Sequence, residues 1–132
     1  MNNIRFRKLF IIQITFLGIV INVYYGIELL KLFITPFFSP EMREILISTI
    51  ALEFGWAVLL SWALFNPFSR RQLLLITAFP LLISNILHNI HQYFYINSSL
   101  YSIAHNFTMG IMIAGLFVLA YFLGKPPNSK KY

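Results

Sequence analysis

The sequence LLLITAFPLLISNILHNIHQYFY, at residues 73–95, contains no Asp, Glu, Lys or Arg. It exceeds the ~20 apolar residues with which a helix spans the ~30 Å hydrocarbon core of a bilayer. Three further apolar runs approach or exceed the same length, at residues 9–33, 45–65 and 100–123. The 132 residues are 58% hydrophobic and 11% charged, whereas soluble domains are about 45–50% apolar and about 25% charged. We therefore predict an integral membrane protein and exclude an ordinary soluble enzyme.

The connections between the apolar runs contain residues that typically begin or end helices. The sequence SPE at 39–41 supplies a cap, a proline for the first helical position and an acid for the first turn. The sequence SRRQ at 69–72 fits a capping box, and Gly124 before two prolines is a typical helix end. The predicted helices are 9–33, 40–65, 70–95 and 99–123. They form a single domain, residues 1–124, and the polar tail 125–132 follows.

The distribution of basic residues predicts how the chain is oriented. Because the connections are short, sequential helices should be antiparallel neighbours, so we predict an all-α, up-down bundle of four transmembrane helices. Lys31 and Arg43 lie on one side of that bundle. The other eight basic residues lie on the side of both termini: Arg5, Arg7, Lys8, Arg70, Arg71, Lys125, Lys130 and Lys131. Cytoplasmic segments are enriched in Lys and Arg, so both termini are predicted to be cytoplasmic.

The same distribution predicts the partners. The net charge is +6, but the basic residues flank apolar runs and form no single basic patch, so nucleic acid is not an expected partner. The expected partners are the lipid bilayer and either further copies of the chain or a larger membrane protein. The abundance of Ile, Asn, Lys and Phe is typical of an AT-rich source, which predicts the cytoplasmic (inner) membrane of a bacterium.

Polar side chains occur at similar depth in all four predicted helices. Each helix contributes one titratable group to this layer: Glu28, Glu53, His88 and His105. At 1.5 Å per residue, these groups lie roughly 5–15 Å below the outer membrane boundary. An ionisable group at that depth costs a few kcal/mol, roughly, and so marks a functional site. We predict an outward-opening pocket lined by Glu53, His88, Asn85, His105 and Glu28, with His91, Asn89, Gln92 and Asn106 as secondary members.

The helix faces support this pocket in part. Spacing puts Asn85, His88, Asn89 and Gln92 on one face of the third helix. Pro80, just before that face, should leave the carbonyl of Ile76 without its helical hydrogen bond and kink the helix. On the first helix, the small-residue stripe of Gly18, Asn22 and Gly26 suits close helix contact. Glu28 is turned about 120° from that stripe and can instead pair with Lys31.

Three functions fit these observations. The first is binding or translocation of a small polar or amphipathic ligand, with or without coupling to a proton. Glu53 would then be the titrating carboxylate, with His88 and His105 as its partners. The second is an intramembrane enzyme that uses the Glu and His residues for acid–base or metal chemistry on a lipid-like substrate. The third is a structural, assembly or immunity subunit, in which the polar residues hold helices together.

The sequence assigns no catalytic residue and no cofactor. It contains no catalytic triad, phosphate loop or dinucleotide motif. Glu53, His88 and His105 are the candidate metal ligands. However, helical bundles that hold metals typically use Glu-x-x-His on two helices, and here the third helix has only His88-x-x-His91. The absence of cysteine excludes disulfides and thiolate chemistry.

Overall fold

The computed structural model describes residues 2–34, 39–96 and 99–125. They form four α-helices: α1 (Asn2–Ile34), α2 (Pro40–Leu64), α3 (Gln72–His91) and α4 (Leu100–Leu123). A π-helical segment, Gln92–Ile96, continues α3, and these described ranges contain no strand. All four helices are long and apolar enough to cross a membrane, which confirms an all-α membrane protein with four candidate transmembrane helices. Of the predicted tail 125–132, only Lys125 is among the described residues.

Two of the predicted helix starts are formed as the sequence indicates. At the start of α2, the Ser39 hydroxyl accepts the Met42 N–H at 3.3 Å, and Pro40 is the first helical residue. At the start of α4, the Ser99 hydroxyl accepts the Ser102 N–H at 3.2 Å. Both caps satisfy an N–H that the first turn of a helix leaves without a partner.

The predicted capping box at residues 69–72 is wrong. The helix α3 begins at Gln72, and its capping residue, Arg71, makes no capping bond with its side chain. The backbone at Arg71 is helical (φ −55°, ψ −24°), whereas a capping residue needs an extended backbone to turn its side chain toward the first turn. Residues 65–71 form turns held by backbone bonds, such as that from the Arg70 N–H to the Asn66 carbonyl at 3.1 Å.

The helix α1 begins at Asn2, well before the predicted start at residue 9. Its basic first turns contain neither proline nor glycine, so nothing in the sequence ends the helix where the apolar run ends. The helix α1 therefore extends beyond the apolar run that predicted it.

The helices pack mainly in two pairs. The closest pairs are α1 with α2 and α3 with α4, and smaller contacts join α1 to α4 and α2 to α3. One buried cluster joins three helices: Ile11 and Ile14 of α1, Leu74 and Ala78 of α3, and Phe117 and Ala120 of α4. Many large apolar side chains are exposed on the outside of the helices, for example Val58 at 67% and Phe79 at 68%, which is typical of a surface that faces lipid.

The small-residue stripe on α1 is a close helix contact, as predicted. A Cβ atom added to Gly18 would lie 2.8 Å from Phe117 Cζ and 2.9 Å from Leu60 Cδ1, and one added to Gly26 would lie 3.0 Å from the Phe54 ring. Asn22, between these glycines, is 7% exposed, and its amide donates to the Gly18 carbonyl at 2.7 Å. Larger side chains at these glycines would push the helices apart.

Arginine side chains bind the carbonyls at the end of α4. Arg7 Nε donates to the Leu123 carbonyl at 2.6 Å, and Arg71 donates to the Gly124 carbonyl at 2.6 Å. These carbonyls have no partner within the helix, so the arginines satisfy them. Nearby in sequence, the Arg70 guanidinium lies 3.5 Å from the centre of the Trp62 ring. The start of α1, the connection 65–71 and the end of α4 therefore meet at one end of the protein, which we call the basic end.

Candidate functional site

A cavity of about 700 Å³ lies between the four helices. Its volume is within the range of about 300–1,000 Å³ that is usual for small-molecule sites. Every helix contributes to the wall. The polar and aromatic lining residues are Asn22, Tyr24, Tyr25, Glu53, Trp56, Thr77, Ser84, Asn85 and His88, and the remaining ones are Val20, Ile21, Leu52, Pro80, Leu81, Gly110 and Ile113.

Glu53 is the only acidic residue among those that line this cavity. Its side chain, on α2, is half-buried. Within the described ranges, no hydrogen bond or ion pair engages its carboxyl group. A carboxyl group inside a membrane bundle usually has a partner, because leaving it unpaired is costly. Glu53 is therefore available to a ligand.

Trp56 and Thr77 connect α2 to α3 across the wall of the cavity. The indole Nε1–H of Trp56 donates to Thr77 Oγ1 at 2.9 Å, and the Thr77 hydroxyl donates to the Leu73 carbonyl at 2.6 Å. Thr77 is only 1% exposed, so this chain of bonds is largely shielded from solvent. It holds the Trp56 ring in place three residues after Glu53, on the same side of α2.

Asn85 and Gly110 connect α3 to α4 in the same cavity wall. The Asn85 amide donates to the Asn106 carbonyl at 3.1 Å, while its Oδ1 atom is buried and has no partner within the described ranges. The side chain fits against the bare backbone of Gly110. A Cβ atom there would lie 2.6 Å from Asn85 Oδ1 and closer still to Cγ and Nδ2.

The structure brings three of the five predicted pocket residues to this cavity: Glu53, Asn85 and His88. Pro80 also lines it, and α3 continues through that proline. The other two predicted residues lie elsewhere. His105 is exposed and stacks on Tyr101, with ring centres 6.4 Å apart. Glu28 pairs with Lys31 at 2.6 Å on the exposed surface.

Three of the four secondary residues, Asn89, Gln92 and Asn106, are also outside the lining. Asn89 is buried, and its amide donates to the Asn85 carbonyl at 2.7 Å. Gln92 lies half-buried in the π-helical segment. Asn106 contributes its backbone carbonyl to Asn85, while its side chain is exposed. The side chain of His91 lies outside what the structure describes.

The arrangement does not bring together the candidate metal ligands Glu53, His88 and His105. In the described part of the chain, no three His, Asp or Glu side chains are close enough together to hold a metal ion. The predicted pocket did not include Trp56, Thr77 or Gly110, although spacing places Trp56 on the same face of the second helix as Glu53. A partial signal exists for Gly110, because Asn106, Gly110 and Ala114 follow one another at four-residue spacing, a pattern of close helix contact.

Comparison of the chain with protein-family models, with curated protein sequences and with solved structures finds no match. The geometry of the cavity is therefore the basis for a functional proposal.

Proposed function

We propose that this chain is a four-helix, up-down protein of the bacterial cytoplasmic membrane, with both termini in the cytoplasm. We propose further that it binds a small polar or amphipathic ligand in the cavity between its helices, from the outer side of the membrane. The observation that carries the functional proposal is Glu53, an unpaired carboxyl group in a cavity that all four helices line.

The order of helix contacts supports the up-down arrangement. In α1, Gly18 approaches Leu60 and Gly26 approaches Phe54, so rising residue numbers in α1 meet falling numbers in α2. The same order applies to α3 and α4, since Arg71 contacts Gly124 and Asn85 contacts Asn106. Neighbouring helices that run in opposite directions and have short connections are typical of up-down bundles.

The basic end supports the orientation. Arg7, Arg70, Arg71 and Lys125 lie there, and Lys and Arg are enriched on the cytoplasmic side of membrane proteins. The cavity residues are farther from that end. In α1, for example, they begin at Val20, whereas the contact with the end of α4 is made by Arg7. This placement favours an opening toward the outside.

The surroundings of Glu53 favour ligand binding over a purely structural role. If polar residues served only to hold helices together, Glu53 would bond a neighbouring helix. Asn85 and Trp56 do this, whereas Glu53 makes no such bond within the described ranges. An enzyme that uses a metal has less support, because the described residues provide no group of three ligands.

Translocation of the ligand would involve more than one chain. A bundle of four helices has little room for a closed polar path across the membrane, and its surface carries many exposed apolar side chains. We therefore propose that translocation would involve further copies of the chain or a larger membrane partner.

Equilibrium dialysis of the purified protein in lipid nanodiscs tests ligand binding. The probes are three amphiphiles of similar shape: tetraphenylphosphonium, tetraphenylborate and neutral triphenylphosphine oxide. At least one should bind saturably above empty nanodiscs. Ser84→Phe fills the cavity and should abolish that binding, whereas Ser48→Phe, at an exposed position outside the cavity lining, should preserve it. If no probe binds, or if Ser84→Phe binds as the unmodified protein does, the proposal is wrong.

A further inference from the structure

We propose that the cavity selects organic cations, namely monovalent cations that carry an apolar substituent. This inference rests on the proposed ligand-binding function and specifies the class of ligand. It follows from three properties of the lining residues: their charge, their unpartnered acceptors and their aromatic rings.

The charge of the lining favours a cation. Glu53 is the only carboxylate among the lining residues, and none of them is Lys or Arg. The other titratable lining residues are His88, Tyr24 and Tyr25. Near the outer end of α1, Lys31 is outside the lining and is held by Glu28 at 2.6 Å. No permanently positive side chain of the lining therefore competes with a ligand for Glu53.

Two acceptors at the cavity have no partner in the described ranges: the Glu53 carboxyl group and the buried Asn85 Oδ1. Three donors in the wall are engaged by the protein, since the Trp56 indole donates to Thr77, the Asn22 amide to the Gly18 carbonyl and the Asn85 amide to the Asn106 carbonyl. The lining also contains the hydroxyl groups of Tyr24, Tyr25 and Ser84 and the imidazole of His88. Hydrogen bonding therefore permits several ligands, and the carboxyl group of Glu53 is the feature that favours a cation.

The aromatic residues provide favourable surfaces for a cation. The face of an aromatic ring is electronegative and attracts organic cations, with Trp the strongest. The Trp56 ring is held by its bond to Thr77, three residues from Glu53. Tyr24 and Tyr25 lie edge to face, with ring centres 5.8 Å apart. The apolar lining residues Val20, Ile21, Leu52, Leu81 and Ile113 would contact the apolar substituent of the ligand.

The test compares tetraphenylphosphonium with tetraphenylborate, which have nearly the same shape and opposite charge. The protein contains two tryptophans, so Trp62→Phe leaves Trp56 as a fluorescent reporter inside the cavity. In nanodiscs, with partitioning into empty discs subtracted, we expect the cation to bind at least ~10-fold more tightly than the anion, a difference of ~1.4 kcal/mol. Glu53→Gln should remove this preference, and Glu28→Gln, outside the cavity, should retain it.

The outcomes separate this inference from the proposed function. Equal binding of the two ions, or cation binding that Glu53→Gln leaves intact, would overturn the selectivity for cations. If the anion or the neutral probe binds and Ser84→Phe abolishes that binding, ligand binding stands and only the inference about charge fails. If no probe binds saturably, the proposed function itself is wrong.

Discussion

Substitution of Gly110 by alanine tests the contact between α3 and α4 at the cavity. The added Cβ would lie 2.6 Å from Asn85 Oδ1 and closer to two other atoms of that amide, whereas non-bonded carbon atoms approach to about 3.5–4.0 Å. The Asn85 side chain would therefore have to move and lose its bond to the Asn106 carbonyl, now 3.1 Å long. Overpacking costs about 1–3 kcal/mol and loss of a hydrogen bond about 0.5–1.5 kcal/mol. We expect Gly110→Ala to lower the free energy of unfolding by about 2–4 kcal/mol.

Gly115→Ala is the matched control, because it lies on the same helix and an added Cβ there has no neighbour within 4 Å. This change should be neutral or should stabilise α4 by up to about 1 kcal/mol, since alanine favours a helix more than glycine does. Unfolding in mixed micelles, with increasing sodium dodecyl sulfate and far-ultraviolet circular dichroism as the signal, measures both variants.

A double substitution tests whether the loss of stability in Gly110→Ala comes from the contact with Asn85. Asn85→Ala removes the side chain that the new Cβ would strike, so Gly110→Ala should cost much less in that background. The reasoning is refuted if Gly110→Ala is as stable as Gly115→Ala. It is equally refuted if the effects of Asn85→Ala and Gly110→Ala are additive, since the two residues would then not be in contact.

Three further predictions concern topology and the cavity wall. In intact cells, Ser98→Cys should react with an impermeant thiol reagent and Ser69→Cys should not; the opposite labelling would reverse the proposed orientation. Pro80→Ala should restore a backbone hydrogen bond in α3. Thermal stability should then stay the same or rise, while binding of the probes falls. Lower stability with unchanged binding would contradict a role of the proline in shaping the cavity. Thr77→Val leaves the Trp56 indole N–H without its acceptor. We therefore expect the free energy of unfolding to fall by about 1–3 kcal/mol and the tryptophan emission to shift. Unchanged emission would show that the bond is not formed.

The sequence was sufficient for the four helices because the signals for them are local. Apolar runs long enough to cross a bilayer predicted the helices, and the caps at Ser39 and Ser99 depend only on residues within one turn. The start of α3 was not predictable in this way. Arg71 adopts a helical backbone and extends its side chain to the Gly124 carbonyl, a contact with the far end of the chain that no local pattern contains.

The depth of the candidate residues was easier to predict than the direction of their side chains. Counting residues along the helices gave similar depths to Glu53, Asn85 and His88, and these three residues line one cavity. Helix spacing also indicated that Glu28 turns away and can pair with Lys31, as it does at the surface. Spacing did not indicate that His105 stacks on Tyr101 of its own helix. The contacts of Trp56 with Thr77 and of Gly110 with Asn85 join different helices, and a single sequence does not reveal them.

The position of the buried core bears on whether one chain can move a ligand across the membrane. On α1 and α4, the cluster that contains Ile11, Leu74 and Phe117 lies nearer in sequence to the basic end than the cavity residues do, and on α3 the two adjoin at Thr77 and Ala78. Phe117 also packs at Gly18, where an added Cβ would lie 2.8 Å from the ring, so this cluster leaves little space between the helices. In the proposed orientation, a ligand in the cavity would have to pass the Trp56–Thr77 bond and then this apolar cluster to reach the basic end. We therefore expect a single chain to bind ligand from the outer side without passing it on, so that translocation requires either a second conformation or a path between chains.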